Sequence, residues 1–278
     1  MKPKSKTVKT TLKKAQPPEK LKPNFEEIFI LCYKFRFLNS EQIQILLNHK
    51  YKERIRSWLN ELTEEKYLRR EYKKKLEESP AIFSLGTKGR KYFLLHPEIQ
   101  DINHLILDRV WKEYKYSKTF KEHCQFVGHI YISLLSFIKK VGLNAANLRF
   151  LTSTDLIGVE HLIHPLPDCY FIIEQKDGTK KRYLVKIFDW YIKKDDMEKT
   201  VKHYLNYCKN KTWQDHMHTQ FPELIFIFPN ARVKSDLNET IKKSLRQKGL
   251  DMQIYLSTWD EIKYQGINSK VLHKVEIN

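Results

Sequence analysis

Between Asn24 and Gly89 the apolar positions repeat three times at helical spacing and then twice at strand spacing. Phe25, Ile28, Phe29, Cys32 and Phe35 form one apolar face behind Asn24, a residue type that caps helix N-termini. Asn39-Ser40-Glu41-Gln42 spells a capping box, since Gln42 stands three residues after Asn39, and Ile43, Leu46 and Leu47 continue it as a short second helix. Ile55, Trp58, Leu59 and Leu62 predict a third helix over about 51–64. Residues 67–73 and 81–85 read as paired strands, and Gly86, Thr87 and Gly89 open a further helix, KGRKYFLLH. Three helices followed by a ribbon predict a winged helix-turn-helix domain over 24–96.

Past residue 96 the pattern loosens. A connector with helical patches (Leu105, Ile106, Val110, Trp111) is expected over 97–121. A second domain, 122–278, then opens on an amphipathic helix over 122–141, its core face made by Phe126, Val127, Ile130, Leu134, Leu135, Phe137 and Ile138. Residues 142–154 read as irregular or as a short strand around Leu148, Phe150 and Leu151. Asp177-Gly178 between the apolar runs 167–173 and 182–188 is a hairpin signal. A helix capped by Asp195 follows, with Met197, Val201, Tyr204, Leu205 and Cys208 facing in. The run Leu224-Ile225-Phe226-Ile227-Phe228 predicts a strand buried on both faces. A basic helix capped by Ser235 and a last strand over 252–256 complete an α+β or α/β unit ordered helix, strand, strand, helix, strand, helix, strand.

Composition decides what such a chain could meet. Its 278 residues suffice for two ordinary domains with their own cores. A formal net charge of +18 points first to nucleic acid and second to an anionic membrane surface. No apolar run approaches the roughly 20 residues of a membrane span, and residues 1–23 lack the apolar stretch of a signal peptide. The expectation is a cytoplasmic, nucleoid-associated protein without a membrane partner.

The charge is placed where a duplex would lie. Lys50, Lys52, Arg54 and Arg56 gather at the start of the third helix, where a recognition helix meets bases and phosphates. Lys73, Lys74 and Lys75 stand at the tip of the wing, and Arg36, Arg69 and Arg70 are further candidates for phosphate contacts. Residues 1–23 carry eight lysines against Glu19 and are broken by prolines, which suits a flexible basic arm along phosphates or a solubilising tail. Cys32, Cys124, Cys169 and Cys208 form no paired motif and read as small core residues. His161/His164 and His216/His218 lack matching ligand pairs and read as exposed or capping residues.

The order of the second half, with Pro167-Asp168 opening the hairpin, resembles the PD-(D/E)XK nuclease core. The two halves together resemble the replication-relaxation family of plasmids and other mobile elements, in which a winged helix precedes a nuclease-like domain. The resemblance runs from about Phe25 to Leu256, through LNSEQIQILL, YLRREY and AIFSLGTKGRKYF, then LPDCYFII, RYLVKIFDW, KTVKHYLNY and FPELIFIFPNAR. It implies a site of two carboxylates on Mg²⁺ or Mn²⁺ beside a lysine that activates water.

Asp168 fits the first acid and Lys186 the lysine, but the acid position two residues earlier holds Leu184. If the family's acid instead aligns with Lys186, that acid is replaced. Glu174 lies on the strand of Asp168 itself, roughly 20 Å away at about 3.3 Å per residue, too far to share an ion. Asp189 is the better substitute: a hairpin centred on Asp177-Gly178 sets Asp168 across from about Ile187, with Asp189 as its diagonal neighbour. A one-residue slip would put Lys186 there instead. His123 and His129 stand where a helper acid is wanted. The expected function is therefore a DNA-binding accessory protein of a mobile element, acting in replication, relaxation or strand transfer. Its nuclease-like domain would be degenerate, needing no cofactor and gripping DNA or a protein of a DNA-processing complex. The alternatives are an active metal-dependent endonuclease, with Asp168 and Asp189 as metal ligands and Lys186 completing the catalytic set, and a protein-protein adaptor.

Overall fold

The computed structural model describes residues 22–72 and 80–276. Most of the tail, with the Lys73, Lys74 and Lys75 wing tip, lies outside the described residues.

Helix α1 (Pro23–Lys34) starts two residues earlier than expected: Lys22, not Asn24, stands at the N-cap without a side-chain cap, and Pro23 lies in the first turn. Proline there lacks only an N–H that the helix would leave unpaired anyway. Strand β1 (Leu38–Asn39) leads into α2 (Ser40–Leu46), whose capping box forms as read: the Asn39 side chain accepts from Gln42 N at 2.8 Å and Asn39 N donates to Gln42 Oε1 at 3.1 Å. Helix α3 (Lys52–Glu64) and strands β2 (Leu68–Glu71) and β3 (Ile82–Leu85) follow, and the three strands pair antiparallel in the order β1-β3-β2. This arrangement is winged-helix-like. Helix α4 (Thr87–Leu95) is turned back onto it by Gly86 and Gly89, where a Cβ would collide with the carbonyls of Lys66 and Tyr67.

Helix α5 (His104–Lys112) precedes α6 (Lys118–Lys140), which starts four residues before the expected boundary because Ser117 caps it, its side chain accepting from Phe120 N. Strand β4 (Leu148–Thr152), helix α7 (Ser153–Leu156), β5 (Cys169–Glu174) and β6 (Lys180–Ile187) lead to α8 (Lys194–Lys209) and α9 (Thr212–Met217). Then come β7 (Glu223–Phe228), α10 (Ala231–Lys248), β8 (Ile254–Thr258), α11 (Trp259–Gln265) and β9 (His273–Lys274). The sheet order is β4-β5-β6-β7-β8-β9, with β6, β7 and β8 parallel and the other neighbours antiparallel.

Two expected caps move. Asp195 sits inside the first turn of α8, and Asn230, not Ser235, caps α10 by accepting from Val233 N at 3.0 Å. Strand β7 ends at Phe228, so the Asn that follows Pro229 is the first residue free to turn the chain.

The sheet separates two apolar layers. Cys169, Phe171, Val185, Ile187, Ile225 and Ile227 join the core built by α6 and by α1, α3 and β3. Leu184, Leu224, Phe226 and Phe228 face the opposite layer, closed by Val201, Tyr204 and Leu205 of α8 and Leu237, Ile241 and Leu245 of α10. Strand β7 is thus buried on both faces, as its unbroken apolar run predicts. The first core is continuous from α1 to the sheet, and Gly128 of α6 lets Leu38 and Gln42 approach closely.

Candidate functional site

The hairpin register decides the site. Cys169 pairs with Val185 and Glu174 with Lys180, so the ladder continues to Asp168 opposite Lys186, one residue from the register expected. The turn takes five residues, Gln175 N donating to Thr179 O at 2.8 Å with Gly178 at φ +80, and this sets the slip. Asp168 N still donates to Val185 O at 2.9 Å, which keeps the carboxylate on the strand end.

Four groups converge there. Lys186 Nζ lies 3.0 Å from Asp168 Oδ2 and also donates to Leu166 O at 3.3 Å. Ile187 N donates to Asp168 Oδ2 at 2.6 Å. Asp189, just beyond β6, turns inward to the same place, and His123 of α6 stands between the two acids. Its Nε2 is 3.2 Å from Asp168 Oδ1, and its Nδ1 is 3.0 Å from each Asp189 oxygen. Tyr191 Oη donates to Asp189 Oδ2 at 3.0 Å. Asp168 and Asp189 are both buried.

Geometry fixes the protonation of this cluster. Both ring nitrogens of His123 face carboxylates, an arrangement that an imidazolium satisfies by donating from each. Burial works against that charge, but Asp168 and Asp189 outweigh it and lift His123 to about 9. Burial likewise opposes charge on Asp168, yet the Lys186 ammonium, His123 and the Ile187 N–H hold its carboxyl well below the usual range. Two cations and two anions balance inside the protein. Cys124, beside the cluster, is pushed up to about 12 by burial and stays a thiol.

The other sequence candidates divide. Lys50, Lys52, Arg54 and Arg56 are all exposed at the start of α3. Arg54 lies over the Trp58 ring, while Lys52 and Arg56 make solvent-facing pairs with Glu41 and Glu53 at 3.8 and 3.4 Å. A cleft of about 530 Å³ between α2, α3 and the ribbon is lined by Lys52, Arg56, Asn60 and Arg70. Arg70 is held by Asn60, and Arg69 is stacked at 3.7 Å on Tyr114 and donates to the carbonyls of Leu85 and Trp111. Arg36, expected on the surface, is buried: Nε donates to Thr154 Oγ1 at 3.0 Å and faces the buried Glu113 at 3.3 Å. It ties the first half of the chain to the second.

Glu174 pairs with Lys180 at the far end of the hairpin, and Leu184 packs in the apolar layer. His129 bonds to Ile262 O at 3.1 Å. All four cysteines are buried and unpaired. His161 and His216 are exposed, as expected, but their rings stack on each other at 3.6 Å. Among the described residues, no group of three His, Cys, Asp or Glu residues is arranged to hold a metal ion, and no helix is long and apolar enough to cross a membrane.

Sequence reasoning did not single out Trp190, which follows Asp189 and is 72% exposed, or Trp259, which stacks on Phe126 at 3.9 Å. The string FDWY, two adjacent aromatics directly after a candidate acid, is the signal the sequence offers.

No protein-family model matches the chain, and none of the curated proteins is significantly similar to it. Among solved structures it is similar to a double mutant of Lactococcus lactis ZitR, at 18% identity and a TM-score of 0.25, over 47% of this chain and 82% of that one.

Proposed function

We propose that this is a DNA-binding protein whose winged-helix-like half docks on a duplex through the start of α3, and whose second half is a nuclease-like fold without nuclease chemistry. The observation that carries the reading is the placement of Lys50, Lys52, Arg54 and Arg56, four exposed cations at the positive end of a helix. Cations there repel one another and the helix dipole, and a phosphate relieves both. Their acidic partners Glu41 and Glu53 are solvent-exposed, so exchanging them for phosphate costs little.

The order α6-β4-β5-β6-α8-β7, with Asp168 at the start of β5 and Lys186 on β6, supports likeness to the PD-(D/E)XK core. The residues present do not fit the Mg²⁺ that such a core implies. Mg²⁺ demands octahedral oxygen ligands, whereas a doubly protonated His123 stands between the two acids and every oxygen of the pair already accepts a hydrogen bond. His123 takes the place of the cation.

The convergence of Asp168, Asp189 and Lys186 favours a second reading, an active endonuclease. One experiment separates the two. Supercoiled DNA is incubated with the protein or its Asp168→Ala variant, with and without Mn²⁺, and the same DNA is run in retardation gels at low and high salt. Salt-sensitive retardation without nicking is expected. Metal-dependent nicking that disappears in the variant would establish the enzyme instead, and retardation indifferent to salt would remove the phosphate contacts on which the first reading rests. A role in a mobile element, in replication or strand transfer, remains part of the proposal through the resemblance to the replication-relaxation family.

A further inference from the structure

We infer that the cleft beside Trp190 takes an unpaired nucleobase, so that the protein reads a junction between duplex and single-stranded DNA; this rests on the duplex-docking reading of α3. Trp190 is 72% exposed, while the preceding Asp189 is 6% exposed. The loop that carries the indole is fastened three times: Asp189 to His123, Tyr191 Oη to Asp189 Oδ2, and Ile192 N to Asp189 O at 3.1 Å. A large apolar ring therefore projects into solvent from a fastened stretch of backbone. Tyr191 beside it is 51% exposed with its ring 5.9 Å from the indole, so the two aromatics form one exposed apolar patch, the kind of surface that marks a contact site.

The cleft it borders has a volume of about 450 Å³, within the ~300–1,000 Å³ of pockets that hold small organic ligands. Its inner wall is Trp259, stacked on Phe126 with an interplanar angle of 11° and fixed by Nε1 donating to Phe188 O at 3.1 Å. Amide side chains of Asn39, Gln42 and Gln125, the ammonium of Lys263 and the carboxylates of Glu122 and Asp189 also line it. Flat aromatic faces, amide edges and carboxylate acceptors suit the ring and amino groups of an unstacked base, and Lys263 is the cation available to its phosphate. The net charge of +18 gives the same sign of preference.

Position joins this cleft to the α3 face. The N-terminal turn of α2 separates two clefts: Ser40 and Glu41 line the one beside Lys52 and Arg56, and Asn39 and Gln42 line the one beside Trp190. DNA lying along α3 and crossing that turn arrives at the indole.

The test uses the full chain and fluorescence anisotropy on a blunt duplex and on the same duplex carrying a short oligothymidine tail on either end. The tail is expected to tighten binding by about tenfold on one end and to quench indole emission. Trp190→Ala should lose that gain while binding the blunt duplex as before, and Trp190→Phe should keep most of it. Thermal melts of both variants check folding, which an exposed side chain should not disturb. A tail that adds nothing, or adds as much in Trp190→Ala, overturns the inference while leaving the duplex reading intact. A protein that binds no blunt duplex overturns the duplex reading itself. Indole emission that responds to a protein partner but to no nucleic acid would make this face a protein-docking surface and overturn the base site.

Discussion

His123 and Asp189 meet at 3.0 Å through the imidazole Nδ1, although 66 residues separate them in the chain. The same ring reaches Asp168 through Nε2, so one side chain of α6 closes the end of the hairpin. Two consequences can be measured.

Removing the imidazolium strands two buried carboxylates on a single ammonium. His123→Ala should destabilise the protein by about 3–5 kcal/mol, the cost of breaking a buried ion pair from one side. Urea denaturation reads this as a lower midpoint. A midpoint within experimental error of the wild type would mean that the cluster relaxes into water and holds nothing together.

The cluster also sets a pH response. His123 is raised from 6.5 to about 9 in the folded protein. A raised folded pKa gives stability that is fully present below about pH 6.5 and is lost as pH climbs through about 9. The loss over that window should be of order 3 kcal/mol. Asp168, held low, has the opposite sign: its contribution is present above the ordinary carboxylate range and falls away only in strong acid. Denaturation midpoints between pH 6 and 10 should therefore decline in the wild type and stay flatter in His123→Gln. Equal slopes in both would assign the decline to other groups.

The α3 cations should act through phosphates. Lys52→Ala and Arg56→Ala should each lower the slope of log affinity against log salt by about 0.9 and change stability by less than about 0.5 kcal/mol. Glu53→Gln, which releases Arg56 from its surface pair, should tighten duplex binding by up to about fivefold. Unchanged salt slopes in both lysine and arginine variants would move the duplex to another face.

Gly86 is glycine for space. Its φ of −87 suits any residue, but an added Cβ would strike the carbonyl oxygen of Lys66 and lie 2.7 Å from that of Tyr67. Gly86→Ala should cost about 1–3 kcal/mol by forcing α4 away from β2. The melting temperature of the variant reports it, and a wild-type value would show that the 66–67 turn yields freely.

The chain's local instructions are strong, and most of its elements follow from them. The capping box at Asn39, the apolar face of α6, the Asp177-Gly178 turn and the unbroken β7 run each state a type of structure through spacings of a few residues, because helix and strand periods are local properties of the backbone. Boundaries moved where two candidate caps competed, as at Asn230 and Ser235. The site was half legible. Asp168, Lys186, Asp189 and His123 were all visible as candidates, but not which of them touch. A strand register turns on one residue of loop geometry, and the rotation that brings His123 between two acids depends on how α6 packs on the sheet, through contacts far apart in sequence. The same holds for Arg36, whose charge reads as surface and whose partner Glu113 lies 77 positions away inside the protein. The sequence by itself determined the elements and the supply of charge. Tertiary structure alone decided which charges face water and which neutralise one another, because burial and pairing are properties of the packed whole.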